Sequence, residues 1–369
     1  MLRVIPGVFL FVTLIGWNSI GFGQSLEDQH HELVQRCVQK LVALQHDDGA
    51  WPYEGVYRVR REIPVGYRIG GTAIVCQALL HHAGEQQEVK AAIQRGVDLI
   101  LQELEDPLMA SSVEDSYDVR VWGHIYALTL FCDLKLSNHM NDSADKYVPW
   151  IEKLVTILGE EEIRGGGWNY ANQRRHAPFV TAPAAQALLR AREAGAEVPD
   201  ELFARTASAL KASRNENGAY QYSGSVRRGR TEPLPGSIAR SAVCEATLIM
   251  LGQGDQERLK LVIDGFHEHW DELEKRRKKT GTHEPPYGVA PYYFYYGHRY
   301  LGQAIALLPV DQQQDEYARF NEVLLKTKDD DDTWNDRVFD QSKAFGTAMS
   351  ILGLSPESVP LPRFLDSKE

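Results

Sequence analysis

Twelve helical stretches of two alternating kinds run through this chain, and their alternation limits the fold more than any single motif. Leu33, Cys37, Leu41 and Leu44 fall on one face of the first, with Glu, Gln and Lys between them, which is the spacing of an amphipathic helix. Asp47-Asp48-Gly49 stops it, Trp51-Pro52 follows, and Gly70 to Leu80 opens a helix apolar on nearly every side. Amphipathic stretches return at 85–105, 147–158, 200–212, 256–279 and 312–325, and nearly all-apolar ones at 119–134, 179–191, 238–251, 291–308 and 344–354. A helix that is apolar all round must be buried inside a larger assembly. Six hairpins that each present one such helix hide them by packing side by side, as repeat proteins do. The first and last hairpins are as apolar as the middle ones, so closure into a ring is expected, with apolar helices inside and amphipathic helices outside.

The turns between the helices repeat as well. Thr72-Ala73-x-x-x-Gln77-Ala78-Leu79-Leu80 returns as Thr181-Ala182-x-x-x-Gln186-Ala187-Leu188-Leu189, and Ser241-Ala242, Gln303-Ala304 and Thr347-Ala348 hold comparable places. The aromatic turn residues Trp51, Trp168, Tyr220 and Trp334 lie 117, 52 and 114 residues apart, near one or two units of a common period. Two slots without such an anchor fall near Pro107 and Lys278.

Gln45-x-x-x-Gly49-x-Trp51 resembles the QW motif of terpenoid cyclases and the related prenyltransferases, and Glu162-x-x-x-Gly166-x-Trp168 is a near copy. Gly218-Ala-Tyr220 and Asp332-Thr-Trp334 keep its tail, and Gly71-Thr-Ala and Gly346-Thr-Ala match the family's opening of the following helix. The resemblance covers about Leu33 to Leu354. It implies an all-α fold, an (α/α)6 toroid of six helical hairpins around a central cavity, forming one domain over residues 24–369. In that family the motif is structural: Gly permits the turn, and the aromatic ring packs on a neighbouring helix end. The family's chemistry carries over poorly. Asp329-x-Asp331-Asp332 has the spelling of the cyclase acid, but it sits in a turn where adjacent solvated carboxylates ionise. No Asp-x-Cys of a zinc prenyltransferase exists. His82-Ala83-Gly84-Glu85-Gln86 has Ala where a thioester needs Cys.

Residues 1–23 read as a signal peptide: Arg3 gives the positive start, Val8 to Ile15 the apolar core, and Gly21-Phe-Gly23 the small residues before Gln24. A retained N-terminal anchor is the alternative. The mature chain is then exported, periplasmic or extracellular, with no membrane span of its own. The formal charge of −11 argues against nucleic acid, since no continuous basic face exists. Cys37, Cys76, Cys132 and Cys244 sit in apolar helical patterns with spacing wrong for zinc. Buried free thiols are expected, a Cys37–Cys76 bridge being the alternative in an oxidising compartment. No metal and no cofactor is expected.

In such a ring, chemistry belongs to the loops leading into the inner helices and to their lumen faces. The candidates there are Tyr67 and Arg68; Asp118, Arg120 and His124; Arg175 and His176; Arg240; Tyr292, Tyr296 and Arg299; Asp340 and Lys343. His124, Asp118 and Tyr296 are the catalytic candidates, and Tyr67, Arg68, Arg120, His176, Arg240, Tyr292, Arg299 and Lys343 the ligand-binding ones. Tyr292, Tyr296 and Arg299 share one face if the helix starts at Pro291, and phenols with a guanidinium along a lumen suit an amphipathic or anionic small molecule. Three readings follow: an enzyme or binder for such a molecule in the central cavity, a non-catalytic secreted binding or scaffold protein, and a carbohydrate-processing toroid using Asp115 and Asp118 as paired carboxylates.

Overall fold

The computed structural model describes residues 26–54, 62–113, 119–171, 174–227 and 231–365. Among them the α-helices are α1 (Leu26–Ala43), α2 (Val65–Ala83), α3 (Gln87–Glu103), α4 (Arg120–Leu136), α5 (Ala144–Glu160), α6 (Pro178–Glu193), α7 (Asp200–Ser213), α8 (Ile238–Met250), α9 (Gln256–Glu268), α10 (Trp270–Glu274), α11 (Phe294–Ile305), α12 (Val310–Leu325) and α13 (Lys343–Leu354). No strand forms among these residues beyond the isolated bridges Arg214–Tyr220 and Glu284–Val289.

Helices α2, α4, α6, α8, α11 and α13 each pack on the next, and α13 returns to α2. The ring closes. Helices α1, α3, α5, α7, α9 and α12 stand outside, each against one or two inner helices. The two kinds of sequence explain the two layers. Every residue of α2 from Ile69 to Leu80 is buried, whereas α3 buries a single stripe of Val89, Ala92, Ile93, Gly96, Val97, Leu99 and Ile100. Each fully buried Leu, Ile or Val contributes about 1.5–3 kcal/mol, so the inner ring holds most of the hydrophobic stabilisation.

The turn before the inner helix is built the same way four times. The backbone N–H five residues before the anchor donates to the carbonyl just before it: His46 to Ala50, Ile163 to Gly167, Asn215 to Ala219 and Asp329 to Thr333, at 2.8–3.0 Å. Two residues before the anchor the chain needs positive φ, met by Gly49 (+92°), Gly166 (+106°), Gly218 (+86°) and Asp332 (+61°). A Cβ at Gly49 or Gly166 would lie 2.6 or 2.4 Å from the carbonyl oxygen of Arg95 or Arg205, so these two glycines also let the outer helix approach. The indoles of Trp51, Trp168 and Trp334 donate to the carbonyls of Leu41, Leu158 and Leu324 at 2.7, 2.7 and 3.2 Å. Their backbone N–H groups donate to the hydroxyls of Thr72, Thr181 and Thr347 at 2.9, 2.9 and 3.0 Å. That is why Thr-Ala recurs. In the Tyr220 copy the serine in use is Ser237, one turn before Ser241, and the shorter Tyr220 reaches Glu245 through its hydroxyl at 2.9 Å. Gln45 ties the first turn to α3 through the carbonyl of Ala92 at 2.9 Å, and Glu162 does the same job by pairing with Arg205.

Three boundaries depart from the sequence pattern. Helix α2 starts at Val65, so Tyr67 and Arg68 lie inside it. The 256–279 stretch breaks at His269 into α9 and α10, where the Trp270 indole donates to Nε2 of His298 at 2.9 Å. Pro291–Tyr293 forms a 3₁₀ turn before α11. All four cysteines are buried free thiols, with no bridge between Cys37 and Cys76. Among the described residues no helix is long and apolar enough to cross a membrane.

Candidate functional site

The lumen is filled. Asp133 of α4 accepts from Gln77 Nε2 at 2.8 Å and Arg190 Nε at 2.6 Å, and meets His81 Nε2 at 3.0 Å. These partners hold its carboxylate below the usual range although burial works the other way. Arg299 Nη2 donates to Gln77 Oε1 at 3.1 Å, and Gln186 and Gln303 exchange amide hydrogen bonds across the ring at 2.9 and 3.0 Å. Tyr126 and Tyr300 meet hydroxyl to hydroxyl at 3.2 Å, and Tyr296 donates to the carbonyl of Phe179 at 2.7 Å. The segment after α13 crosses the base of the ring. Its Val359, Pro360 and Pro362 close over these residues and leave about 30 Å³, room for water and nothing larger.

Most of the candidates read from sequence have partners that explain them. Tyr67 stands edge-on to Tyr53 and Trp122, each at 5.4 Å. Arg68 pairs outward with Glu103 at 2.6 Å and Asp48 at 2.9 Å. Arg240 spends its guanidinium on the Tyr220 anchor turn, donating to the carbonyls of Tyr220 and Gly236 and to Glu232. His176 meets the Ser213 hydroxyl at 2.7 Å, and burial lowers its pKa. Tyr292 leaves the Tyr296–Arg299 face because its turn is 3₁₀, and bonds His283 at 3.0 Å. Lys343 pairs with Asp331 at 3.0 Å, beside Asp340 on the rim. Arg175 holds Asn169 through its carbonyl. Arg120 and His124 converge on Glu161, at 2.9 and 3.1 Å, with all three side chains buried. Asp115 and Asp118 lie outside the described residues.

A group that no motif announced stands at the mouth, where the inner helices begin. Two residues after each anchor come Tyr53, Tyr170, Tyr222 and, in the last copy, Asp336. The tyrosines build two aromatic clusters. Tyr53 packs on Phe345 at 4.1 Å, and Phe179 holds Tyr170, Tyr222 and Tyr293 at 5.3–5.4 Å. Asp336 is fully buried and neither carboxylate oxygen has a partner among the described residues. Burial pushes its pKa up to about 7, against the pull of the Arg337 and Arg277 guanidiniums. Arg337 is only 2% exposed, yet among the described residues its Nε and Nη1 have no partner, nor does the Tyr53 hydroxyl. An open depression on the rim here is lined in part by Arg337, Asn335, Lys278 and Lys343. The aromatic recurring two residues after each anchor was the available signal, and its replacement by Asp marks the exception.

No protein-family model and no curated protein matches this chain. Solved structures do. The apo type II terpene cyclase MstE from Scytonema superposes with a TM-score of 0.57 at 14% identity, over 89% of this chain and 98% of its own. An inactive variant of an α-1,6-mannanase from Salegentibacter sp. HEL1_6, in complex with α-1,6-mannotriose, gives 0.58 at 14% identity, over 89% and 99%. The chain has the (α/α)6 toroid fold that these proteins share. The likeness is one of fold, and a fold hosts unrelated chemistries, so the toroid's own side chains must carry any functional reading. Its Asp329-x-Asp331-Asp332 turn is no acid: the Thr333 hydroxyl and Lys343 hold Asp331 at about 2, and Lys328 and Arg36 lower Asp332. Among the described residues no group of His, Cys, Asp and Glu has the geometry of a metal site.

Proposed function

We propose that this toroid is an exported, non-catalytic binding protein that takes its ligand at the mouth of the ring, its centre serving as core. The reading is carried by the contrast between the two levels of the inner ring. Lumen polar groups leave a gap of about 30 Å³ and, among the described residues, one buried donor without a partner, Arg299 Nε, whereas at the mouth both Asp336 oxygens, Arg337 Nε and Nη1 and the Tyr53 hydroxyl are buried and unpartnered. A drug-sized ligand occupies pockets of roughly 300–1,000 Å³, far more than the lumen leaves, which argues against the central cavity as the place for an amphipathic molecule. Export is supported by Arg3, the apolar run Val8 to Ile15 and Gly21-Phe-Gly23.

Native mass spectrometry of protein collected from the exported fraction tests both halves. The expected spectrum shows a chain beginning at Gln24 that carries a non-covalent mass lost on denaturation. A bare chain after gentle isolation would count against binding, and a chain retaining residues 1–23 against cleavage and release.

A further inference from the structure

We infer that the mouth loops of the third and fourth hairpins form a binding surface for a linear acidic polysaccharide. This rests on the mouth-binding reading and names its ligand. Arg164, Arg174 and Arg175 lie between α5 and α6, and Arg227 lies between α7 and α8; all four are exposed. None of their side chains pairs with a carboxylate among the described residues. Far apart in sequence, they are gathered by the fold. Arg164 and Arg174 line one cleft, and the stem of Arg175 packs beside Gly224, three residues before Arg227. The loops that carry them are braced. The N–H of Ala177 donates to the Trp168 carbonyl at 2.7 Å, Gly224 to His176 at 2.8 Å and Val226 to Ala212 at 2.7 Å. Asn169 Nδ2 donates to the Arg175 carbonyl at 2.8 Å. Backbone fixed in this way lowers the ordering cost of binding.

The acids that share the cleft are mostly committed. Glu161 is held by Arg120 and His124, and Glu162 by two bonds from Arg205 at 2.8 and 2.6 Å. Glu160 meets only the Ser111 hydroxyl, at 2.6 Å, so one carboxylate stands against four free guanidiniums. Screening over about 8 Å at physiological salt lets this patch act locally in a chain of formal charge −11. A guanidinium presents a planar fork of donors that fits carboxylate or sulfate oxygens in pairs. Four of them along two loops suit acid groups in series better than a single ion. A protein partner would need large apolar anchors, and of the exposed large apolar side chains only Val226 lies on these loops. A nucleic-acid duplex carries a charge about every 1.7 Å and would run on from the patch over an acidic surface. A sugar chain with one acid group per unit meets the arginines and offers hydroxyls in between.

The test is calorimetric titration of the mature protein, at low and at physiological salt, with short uronate oligosaccharides and short sulfated ones. Neutral dextran, poly-glutamate and DNA of matched length are the other arms. Saturable binding of the uronate or the sulfated series is expected, weakening as salt rises, and the series that binds tells which acid group is taken. Arg174→Gln with Arg175→Gln, and Arg164→Gln with Arg227→Gln, should each weaken it at least about ten-fold. Lys40→Gln with Lys146→Gln, exposed cations on α1 and α5 outside these loops, should leave it unchanged. All six positions are exposed, and circular dichroism checks that each variant is folded. Dextran bound as tightly as the acidic series, or poly-glutamate or DNA bound more tightly than either, overturns the inference. So does affinity indifferent to both arginine pairs, or lowered as far by the lysine pair. A co-purified ligand held equally by wild type and both arginine variants would refute this site while leaving the mouth-binding reading standing; no ligand of any class would refute both.

Discussion

Asp336→Asn should make the protein more stable, and the gain should grow with pH. In the folded chain burial holds this carboxyl at about 7 against an ordinary value of 3.8. The groups acting on it or acted on by it are the Arg337 and Arg277 guanidiniums and the Tyr53 and Tyr295 phenols. Between those two values the unfolded chain has released the proton and the folded chain still holds it, so stability falls as pH rises and the loss is complete above about 7. At about 1.36 kcal/mol per tenfold change in acidity, the loss is about 4 kcal/mol. Asn does not titrate. The variant should therefore match wild type within about 1 kcal/mol at pH 4 and exceed it by about 3–4 kcal/mol at pH 8. His82, His267 and His298, lowered by burial to about 4, 4 and 3, tilt stability the opposite way but are common to both chains and cancel. Urea unfolding followed by tryptophan fluorescence at pH 4, 5.5, 7 and 8 measures the difference. A difference independent of pH, or a variant less stable at pH 8, would refute the reasoning.

Adjacent glycines should behave differently. Gly165→Ala meets open space and should cost about 1–2 kcal/mol for its positive φ, whereas Gly166→Ala also collides with the Arg205 carbonyl and should cost at least about 3 kcal/mol. Equal melting temperatures for the two variants would break that account. Thr72→Val, Thr181→Val and Thr347→Val each strand a buried anchor N–H and should each destabilise by about 1–3 kcal/mol; a neutral result in urea melts would remove the hydroxyl's assigned role. A thiol reagent should find no reactive cysteine in the native protein and four in urea, because all four are buried and unbridged and burial raises Cys37 to about 12. Two titratable thiols in urea would instead mean that one bridge exists.

The ring was readable because it is written in periodicity, which survives without coordinates. A helix apolar on all sides has one kind of place to go, and six of them define a layer. Side-chain volume is not periodic, so nothing in Tyr292-x-x-x-Tyr296 told that Pro291 would start a 3₁₀ turn and send Tyr292 to His283. Nor did the spacing of Gln77, Asp133, Arg190 and Arg299 announce that they would consume one another's hydrogen bonds. Arg337 was missed for a different reason. A charged residue in a polar loop is expected to face water, and only packing shows that the chain around Trp334 takes it inward. His124 stands between the two cases: its pairing with Glu161 comes from a helix end that no pattern joins to it.

Closure has a consequence for how this protein can be made and changed. The seam between the first and last hairpins is held by Arg36 to Asp332 at 2.8 Å, by the Cys37 thiol to the Asp332 carbonyl, and by Ser342 to the carbonyl of Glu54. An open stack of repeats can lose or gain a unit and still cover its neighbours. In this ring the face of α2 that meets α13 stays bare until the last inner helix has been synthesised, so the first hairpin waits for the last. Loss of any one hairpin thereby exposes two inner-helix faces at once, where an open stack would expose one.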